Sequence, residues 1–277
     1  MVELSFWKMH GLGNDYILIG NRDEKISEDE VGKLARRLCE RRFSVGADGL
    51  LLVYDSAVAD VKMRIFNSDG SEAEMCGNGI RCFAKYCYET GVVRKKEMKI
   101  ETLAGIKTVM LTVEGWTVKQ VRVDIGEPIW ERSRIPMLGE GTFIDEDLEL
   151  GSMKLKATCL SLGNPHCVIF VDEVKGFPVE TVGPRIENHH LFPNRVNVEF
   201  AQILNRGELS VRVWERGCGE TLACGTGACA SVAAAKTLGK LDGRATVHLL
   251  GGDLEVEVAG SIYMAGPATK VFEGRLF

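Results

Sequence analysis

Positive charge is in short supply in this sequence: 34 Lys and Arg stand against 39 Asp and Glu, for a net charge of −5. Nucleic acid and anionic lipid bind through cationic side chains that neutralise phosphates, so neither is an expected partner, and a small molecule is. A basic N-terminal stretch followed by an apolar core, which a secretory signal needs, is missing. So is any apolar run near the roughly 18–20 residues that span a bilayer. The expected location is therefore the cytoplasm, with no membrane partner. A disulfide framework is lacking too, because the nine cysteines are odd in number and irregularly spaced, and a chain this long buries enough surface to do without cross-links. Cys76, Cys82 and Cys87 lack the short paired spacing of zinc motifs. No lysine motif for pyridoxal phosphate is recognisable. Neither a metal nor a cofactor is expected.

What the sequence does contain is an internal repeat at a shift of about 148 residues. Below VKMRIFNSDGSEAEMCGNG, which starts at Val61, lies LSVRVWERGCGETLACGTG, which starts at Leu209. Without a gap, Arg64 falls on Arg212, Phe66 on Trp214, Glu72 on Glu220, Cys76 on Cys224, Gly77 on Gly225 and Gly79 on Gly227. LGNDYILI from Leu12 matches LGNPHCVI from Leu162, placing Asn14 over Asn164, and TLAGIKTVMLTVEG from Thr102 resembles LLGGDLEVEVAG from Leu249. Two homologous domains related by an approximate twofold axis follow, with a boundary in GEPIWERSRIP between Gly126 and Pro136.

Runs rich in β-branched residues predict strands over Val61 to Phe66, Val109 to Val113, Val118 to Ile125, Cys167 to Val171, Leu209 to Trp214 and Leu254 to Val258. Helices are expected from Ser27 to Arg42, with Ser27 and Glu30 in capping-box spacing, from Cys76 to about Glu89, and from Cys224 to about Leu238. Consecutive strands around one helix per half indicate an α+β fold with mostly antiparallel sheets.

Each helix of the repeat opens directly after a Cys-Gly-x-Gly run, so each thiol sits at a helix start. There the unpaired N–H groups and the positive end of the macrodipole favour an anion. The thiolate form is thereby favoured, and the glycines admit a substrate carboxylate to the N–H groups. If the twofold axis lies between the domains, the two sulfurs flank one α-carbon in a cleft. One thiolate then removes the α-proton and the other thiol delivers a proton to the opposite face. The developing negative charge must be met by helix-start N–H groups in a closed, dry site.

FNSDGSEAEMCGNG, with Cys76, and ERGCGETLACGTG, with Cys224, resemble the two signatures of the diaminopimelate epimerase family. HGLGNDY at His10 to Tyr16, GADG at Gly46 to Gly49, GNPH at Gly163 to His166 and NVEF at Asn197 to Phe200 extend the likeness over essentially the whole chain. The resemblance implies two pseudo-symmetric domains, each a barrel-like sheet around a central helix, over residues 1–125 and 126–266. Residues 267–277 return to the first domain as a last strand. It implies cofactor-free conversion between LL- and meso-2,6-diaminopimelate. It assigns Asn14, Asn67, Asn164, Asn197, Glu215 and Arg216 to the substrate, and Gly77 with Asn78 and Gly225 with Thr226 to its reacting carboxylate. His166 and Glu215 become candidates for tuning or relaying protons. Some family members have Gln where Gly49 stands, and a water or a backbone group is expected to fill the gap. A homodimer is among the expected assemblies.

Rival readings remain open at this point. A proline or hydroxyproline racemase shares the two-cysteine logic but usually places His where Asn78 stands. A cysteine hydrolase would use Cys76 or Cys224 with His166 as base, and a binding module of the same fold would exchange no hydrogen. Gly225, Gly227 and Ala230 have dinucleotide-fingerprint spacing, but about ten residues separate them from the preceding strand at Trp214. Cys82, Cys87 and Cys229 read as core residues. Arg64 and Arg212 are either structural anchors or ligands.

Overall fold

The computed structural model describes residues 3–276. The first half runs β1 (Leu4–Gly11), β2 (Asn14–Gly20), α1 (Glu28–Cys39), β3 (Gly49–Tyr54), β4 (Val61–Asn67), β5 (Glu72–Ala73), α2 (Gly77–Glu89), β6 (Glu97–Thr102), β7 (Gly105–Glu114) and β8 (Thr117–Gly126). After β9 (Glu146–Leu150) the same order returns as β10 (Met153–Ser161), β11 (Pro165–Phe170), α3 (Val179–Glu187), β12 (Asn197–Asn205), β13 (Glu208–Glu215), β14 (Gly219–Thr221), α4 (Gly225–Thr237), β15 (Arg244–Leu249), β16 (Gly252–Ala259) and β17 (Ser261–Gly266). β18 (Thr269–Leu276) comes last. Contacts divide the chain into two compact units, Met1–Val123 with Gly266–Phe277, and Asp124–Ala265.

Strand pairing is the same in both units. β1 and β2 are antiparallel, β2 and β3 parallel, β3 and β4 antiparallel, and β4 and β6 parallel, with β5 also on β4. β6, β7 and β8 then form a meander. In the second unit β10 to β17 repeat each of these pairings in order. Each parallel step needs a crossover, and a helix supplies every one: α1, α2, α3 and α4. The sheets are mixed but mainly antiparallel, as the strand pattern implied. The one enclosed helix expected in each half is α2 or α4, the expected Ser27 helix is α1, and α3 is its unexpected counterpart in the second unit.

The helices differ in how they are buried. α1 carries Val31, Leu34, Ala35 and Leu38 on one stripe, which packs against Ile17, Ile19, Leu50 and Leu52. α2 and α4 are buried on nearly all sides, from Gly77 to Tyr88 and from Gly225 to Ala235. α4 is made of small, mostly apolar residues all round, as suits a helix inside a domain, whereas α2 also buries the polar Asn78, Arg81 and Lys85; each packs against several strands of its own unit. Every large side chain buried in this way, Ile80 and Phe83 among them, contributes roughly 1.5–3 kcal/mol. β2 and β3, covered by α1 on one face and α2 on the other, read as unbroken apolar runs, YILI and LLLV.

α1 ends at Cys39, three residues before the expected Arg42, because Glu40 leaves the helical region at ψ 108°. The capping box does not form: the Ser27 hydroxyl donates to Asp29 at 2.8 Å, so it caps no backbone N–H. α3 escaped the sequence reading because Gly176, Pro178 and an internal Pro184 break its pattern.

One strand in each unit has a different origin. β9, next to β10, comes from the chain just before it. Its topological equivalent beside β1 is β18, from the far end of the sequence. The expected last strand is therefore found over Thr269–Leu276, and Phe277 lies outside the described residues.

Candidate active site

In the first unit Cys76 is the N-cap of α2, in extended conformation (φ −141°, ψ 125°), so its sulfur stands at the helix start. The β1–β2 turn brings Asn14 to it. Leu12 (φ 55°) and Gly13 (φ 90°) both take the left-handed conformation, which lets Asn14 open β2 beside the helix. Asn14 Nδ2 donates to Asp48 at 2.7 Å. Because a carboxylate only accepts, this contact turns Asn14 Oδ1 toward the cysteine. That oxygen receives Asn78 Nδ2 at 3.3 Å and lies 3.7 Å from Cys76 Sγ. Asn78 is itself fixed by the buried Arg81, which donates to Asn78 Oδ1 at 2.9 Å and to the Gly77 carbonyl at 3.0 Å. Asp48 is held in turn by Arg41 at 2.8 Å.

The phenol of Tyr16 completes this group, with Oη 2.8 Å from Cys76 Sγ and also hydrogen-bonded to Asn14 Oδ1. Its ring lies where a side chain at Gly49 would begin: a Cβ there would stand 3.3 Å from Tyr16 and 2.8 Å from the Phe66 carbonyl oxygen. The space beside Gly49 is thus bounded by a backbone carbonyl, as expected, and also by the Tyr16 ring, which was not. Burial, then the charge of a Cys76 thiolate, push the Tyr16 phenol well above its ordinary range.

In the second unit Cys224 caps α4 (φ −112°, ψ 113°) and its sulfur accepts the Gly227 N–H at 3.3 Å. Thr226 Oγ1 is 3.6 Å from the sulfur and accepts Asn164 Nδ2 at 3.2 Å. Asn164 Oδ1 meets His166 Nε2 at 3.0 Å, and His166 Nδ1 meets Glu199 Oε1 at 2.7 Å, with imidazole and carboxylate both fully buried. Glu199 presses on the helix start so closely that a Cβ at Gly227 would stand 2.8 Å from its oxygen. Its other oxygen, Oε2, has no hydrogen-bond partner among the described residues. Glu215 accepts from Thr221 Oγ1 at 2.5 Å. Burial, reinforced by Glu199, raises the Glu215 carboxyl.

Cys224 corrects one expectation. A helix start was to favour thiolate at both cysteines, yet burial, followed by the charges of Glu215 and Glu199, drives the Cys224 thiol well above its ordinary range. Thr226 and the Gly227 N–H work the other way and lose. The physical reason is depth: Cys224 is 6% exposed, and desolvation outweighs a partial charge.

The expected residues fall into three groups. Asn14, Cys76, Gly77 and Asn78 come together in one unit, and Asn164, His166, Glu215, Cys224, Gly225 and Thr226 in the other. Asn197 is buried beneath the second group, its amide donating to the Pro165 carbonyl at 2.8 Å and accepting the Arg216 N–H at 3.0 Å. Asn67 and Arg216 are exposed; Asn67 donates to Ser71 at 3.0 Å and Arg216 reaches the Asn194 carbonyl at 3.4 Å. Both His166 ring nitrogens are engaged, so the imidazole is not poised as the base of a cysteine hydrolase. Arg64 and Arg212 act as anchors, clamping Glu72 and Glu220 through two bonds each. Tyr16 and Glu199 were missed, although both lie inside motifs already singled out, HGLGNDY and NVEF.

The profile of the family described as "Diaminopimelate epimerase" matches residues 6–131 and 158–271. A diaminopimelate epimerase of Moorella thermoacetica is 56% identical over 275 residues, covering 98% of both chains. Among solved structures, a PhzF-family phenazine biosynthesis protein of Bacillus anthracis superposes with a TM-score of 0.74 at 19% identity, covering 100% of both chains. A hydroxyproline epimerase from Agrobacterium vitis, with bound trans-4-OH-L-proline, reaches 0.71 at 13% identity, covering 99% of this chain and 92% of its own. These two likenesses show the fold.

Proposed function

The chain belongs to the diaminopimelate epimerase family, and we propose that it interconverts LL- and meso-2,6-diaminopimelate without a cofactor, with Cys76 and Cys224 as the two proton-transfer groups. The observation that carries this reading is the duplicated sulfur: each unit sets one cysteine at the N-cap of its enclosed helix, beside a glycine-opened first turn. With the two helix starts on either side of one substrate carbon, the carboxylate is received by N–H groups that have no acceptor within their own helix. A thiolate at Cys76 takes the α-proton, and the Cys224 thiol gives its proton to the opposite face, which inverts the centre; the reverse reaction exchanges the two roles.

The other residues assigned by resemblance surround that event. Gly77 with Asn78 and Gly225 with Thr226 receive the reacting carboxylate. Asn14 Oδ1 and Asn164 offer polar contacts to the reacting amino-acid end. Asn67, Asn197, Glu215 and Arg216 hold the substrate, with the Arg216 guanidinium suited to the distal carboxylate. His166 and Glu215 tune the Cys224 side.

Incubation with LL-diaminopimelate in deuterated water, beside L-proline, tests the assignment. The expected products are meso-diaminopimelate with deuterium at the inverted carbon, and unchanged proline. Absence of both product and deuterium exchange from diaminopimelate would overturn it.

A further inference from the structure

We propose that the Tyr16 hydroxyl is a two-position hydrogen-bond switch that couples ionisation of Cys76 to the opening of Asn14 Oδ1 for the substrate's ammonium group; the substrate half of this inference rests on the function proposed above. Tyr16 Oη lies within hydrogen-bond reach of two atoms, Cys76 Sγ at 2.8 Å and Asn14 Oδ1. A phenol has one hydrogen to donate. Asn14 Oδ1 can only accept, and its orientation is fixed because the amide nitrogen is held by Asp48 at 2.7 Å. While Cys76 is a thiol, the arrangement with the shorter contacts has the S–H donating to Tyr16 Oη at 2.8 Å and Tyr16 donating to Asn14 Oδ1; the direct S–H contact to Asn14 Oδ1, at 3.7 Å, is the longer alternative.

When the Cys76 proton leaves to solvent, the sulfur becomes a charged acceptor and competes with Asn14 for the single phenol hydrogen. A hydrogen bond to a charged group is worth more than one to a neutral amide, so the hydroxyl turns to the sulfur. Asn14 Oδ1 then loses its phenol donor, retaining only the longer contact from Asn78 at 3.3 Å. An ammonium group beside the reacting α-carbon is the donor that restores it. Formation of the base and opening of the ammonium contact thus become one event.

Two further observations favour a switch over simple packing. Burial and the neighbouring thiolate keep the phenol protonated, so Tyr16 donates and does not compete as a base. Its ring is also located independently of its hydroxyl, because the Cβ-less Gly49 receives it. Tyr16 is accordingly a positioning residue acting through Cys76, and its oxygen can be removed with the ring left in place.

The test is Tyr16→Phe, read by iodoacetamide alkylation of Cys76, followed by peptide mass spectrometry across pH, together with steady-state kinetics. At pH 7 the rate of Cys76 alkylation should fall about tenfold, the size expected for losing a hydrogen bond to a charged group, and the loss should be recovered at higher pH. The turnover number should fall with it. The KM for diaminopimelate should not rise, since Asn14 Oδ1 no longer has to be vacated. If Tyr16→Phe alkylates as the unaltered protein does across pH, or if KM rises while kcat holds, the switch is wrong. Should Tyr16→Phe fail to fold, 3-fluorotyrosine at position 16, a stronger donor, must speed Cys76 alkylation at neutral pH, and no change would overturn the proposal. Failure of the functional reading is distinguishable: the unaltered enzyme would then neither epimerise diaminopimelate nor exchange its α-hydrogen, whatever its alkylation profile.

Discussion

The two cysteine environments share a backbone and differ in almost every side chain around it. At the position where Leu51 packs against the first turn of α2, Glu199 packs against that of α4. Tyr16 in one unit corresponds to His166 in the other, each opposite the equivalent residue of the parallel strand, Gly49 and Asn197. Asn78 answers to Thr226, Arg81 to Cys229 and Asn67 to Glu215. The first unit thus sets the Tyr16 hydroxyl and the Asn14 oxygen beside its sulfur, with Asp48 behind Asn14 and the buried Arg81 behind Asn78, and the second places two carboxylates and an imidazole around its own. Duplication preserved what both sulfurs need, a helix start opened by glycine. It released what they need separately, because a two-base inversion requires one group charged and one neutral at the outset.

The comparison breaks most severely if either sulfur is dispensable. Cys76→Ala and Cys224→Ala should each lower epimerisation at least about 10³-fold, within the range for loss of a general acid or base, with circular dichroism unchanged; full activity in either variant would refute the pairing. A smaller effect separates the two environments without substitution. Iodoacetamide at pH 7.5 should modify Cys76 about tenfold or more faster than Cys224, since a raised thiol stays protonated until the pH passes above the ordinary thiol range. Glu199→Gln should narrow that difference. Equal rates at both cysteines would remove the proposed asymmetry.

The anchors give a subtler contrast. Arg212 holds Glu220 and donates to the carbonyls of Val174, Lys175 and Phe177, whereas Arg64 holds Glu72 and Glu28. Arg212→Ala should therefore cost more stability in urea than Arg64→Ala, about 1–3 kcal/mol for the former, with activity largely kept in both. The smallest effect is expected at Asp15. Burial opposes its ionisation, but Arg41 and Lys8 outweigh it and lower the carboxyl from 3.8 to about 2. A depressed carboxyl stabilises the fold above its unfolded value and loses that contribution as pH falls from about 4 toward 2. Asp15→Asn should flatten the acid limb of a stability–pH curve over that interval and leave neutral pH otherwise unaltered in slope.

Much of this architecture was legible in the residues, and the limits have physical causes. Glycine-opened helix starts and the repeat located Cys76, Cys224 and both enclosed helices, because Cys-Gly-x-Gly is short, local and duplicated. Alternating strands such as Val118 to Ile125 were readable from their period of two, whereas YILI and LLLV were not, since strands covered on both faces lose that period. Glu199 hid within NVEF because nothing in a four-residue strand segment tells that a carboxylate will be buried. Tyr16 hid because its significance depends on Gly49, which is distant in sequence and adjacent across a parallel pair. Arg64 and Arg212 could not be assigned until Glu72 and Glu220 were seen opposite them.

The different origins of β18 and β9 bear on the order in which a growing polypeptide can be completed. Asp124–Ala265 is continuous, and β10 finds its neighbour in the segment translated immediately before it. β1 has no such recourse: Leu4 lies opposite Leu276, and the buried Arg81 bonds the Pro267 carbonyl. The unit whose first strands are translated earlier is therefore the one completed later, and until Thr269–Leu276 has emerged from the ribosome β1 keeps an open edge that a chaperone or a second nascent chain could occupy.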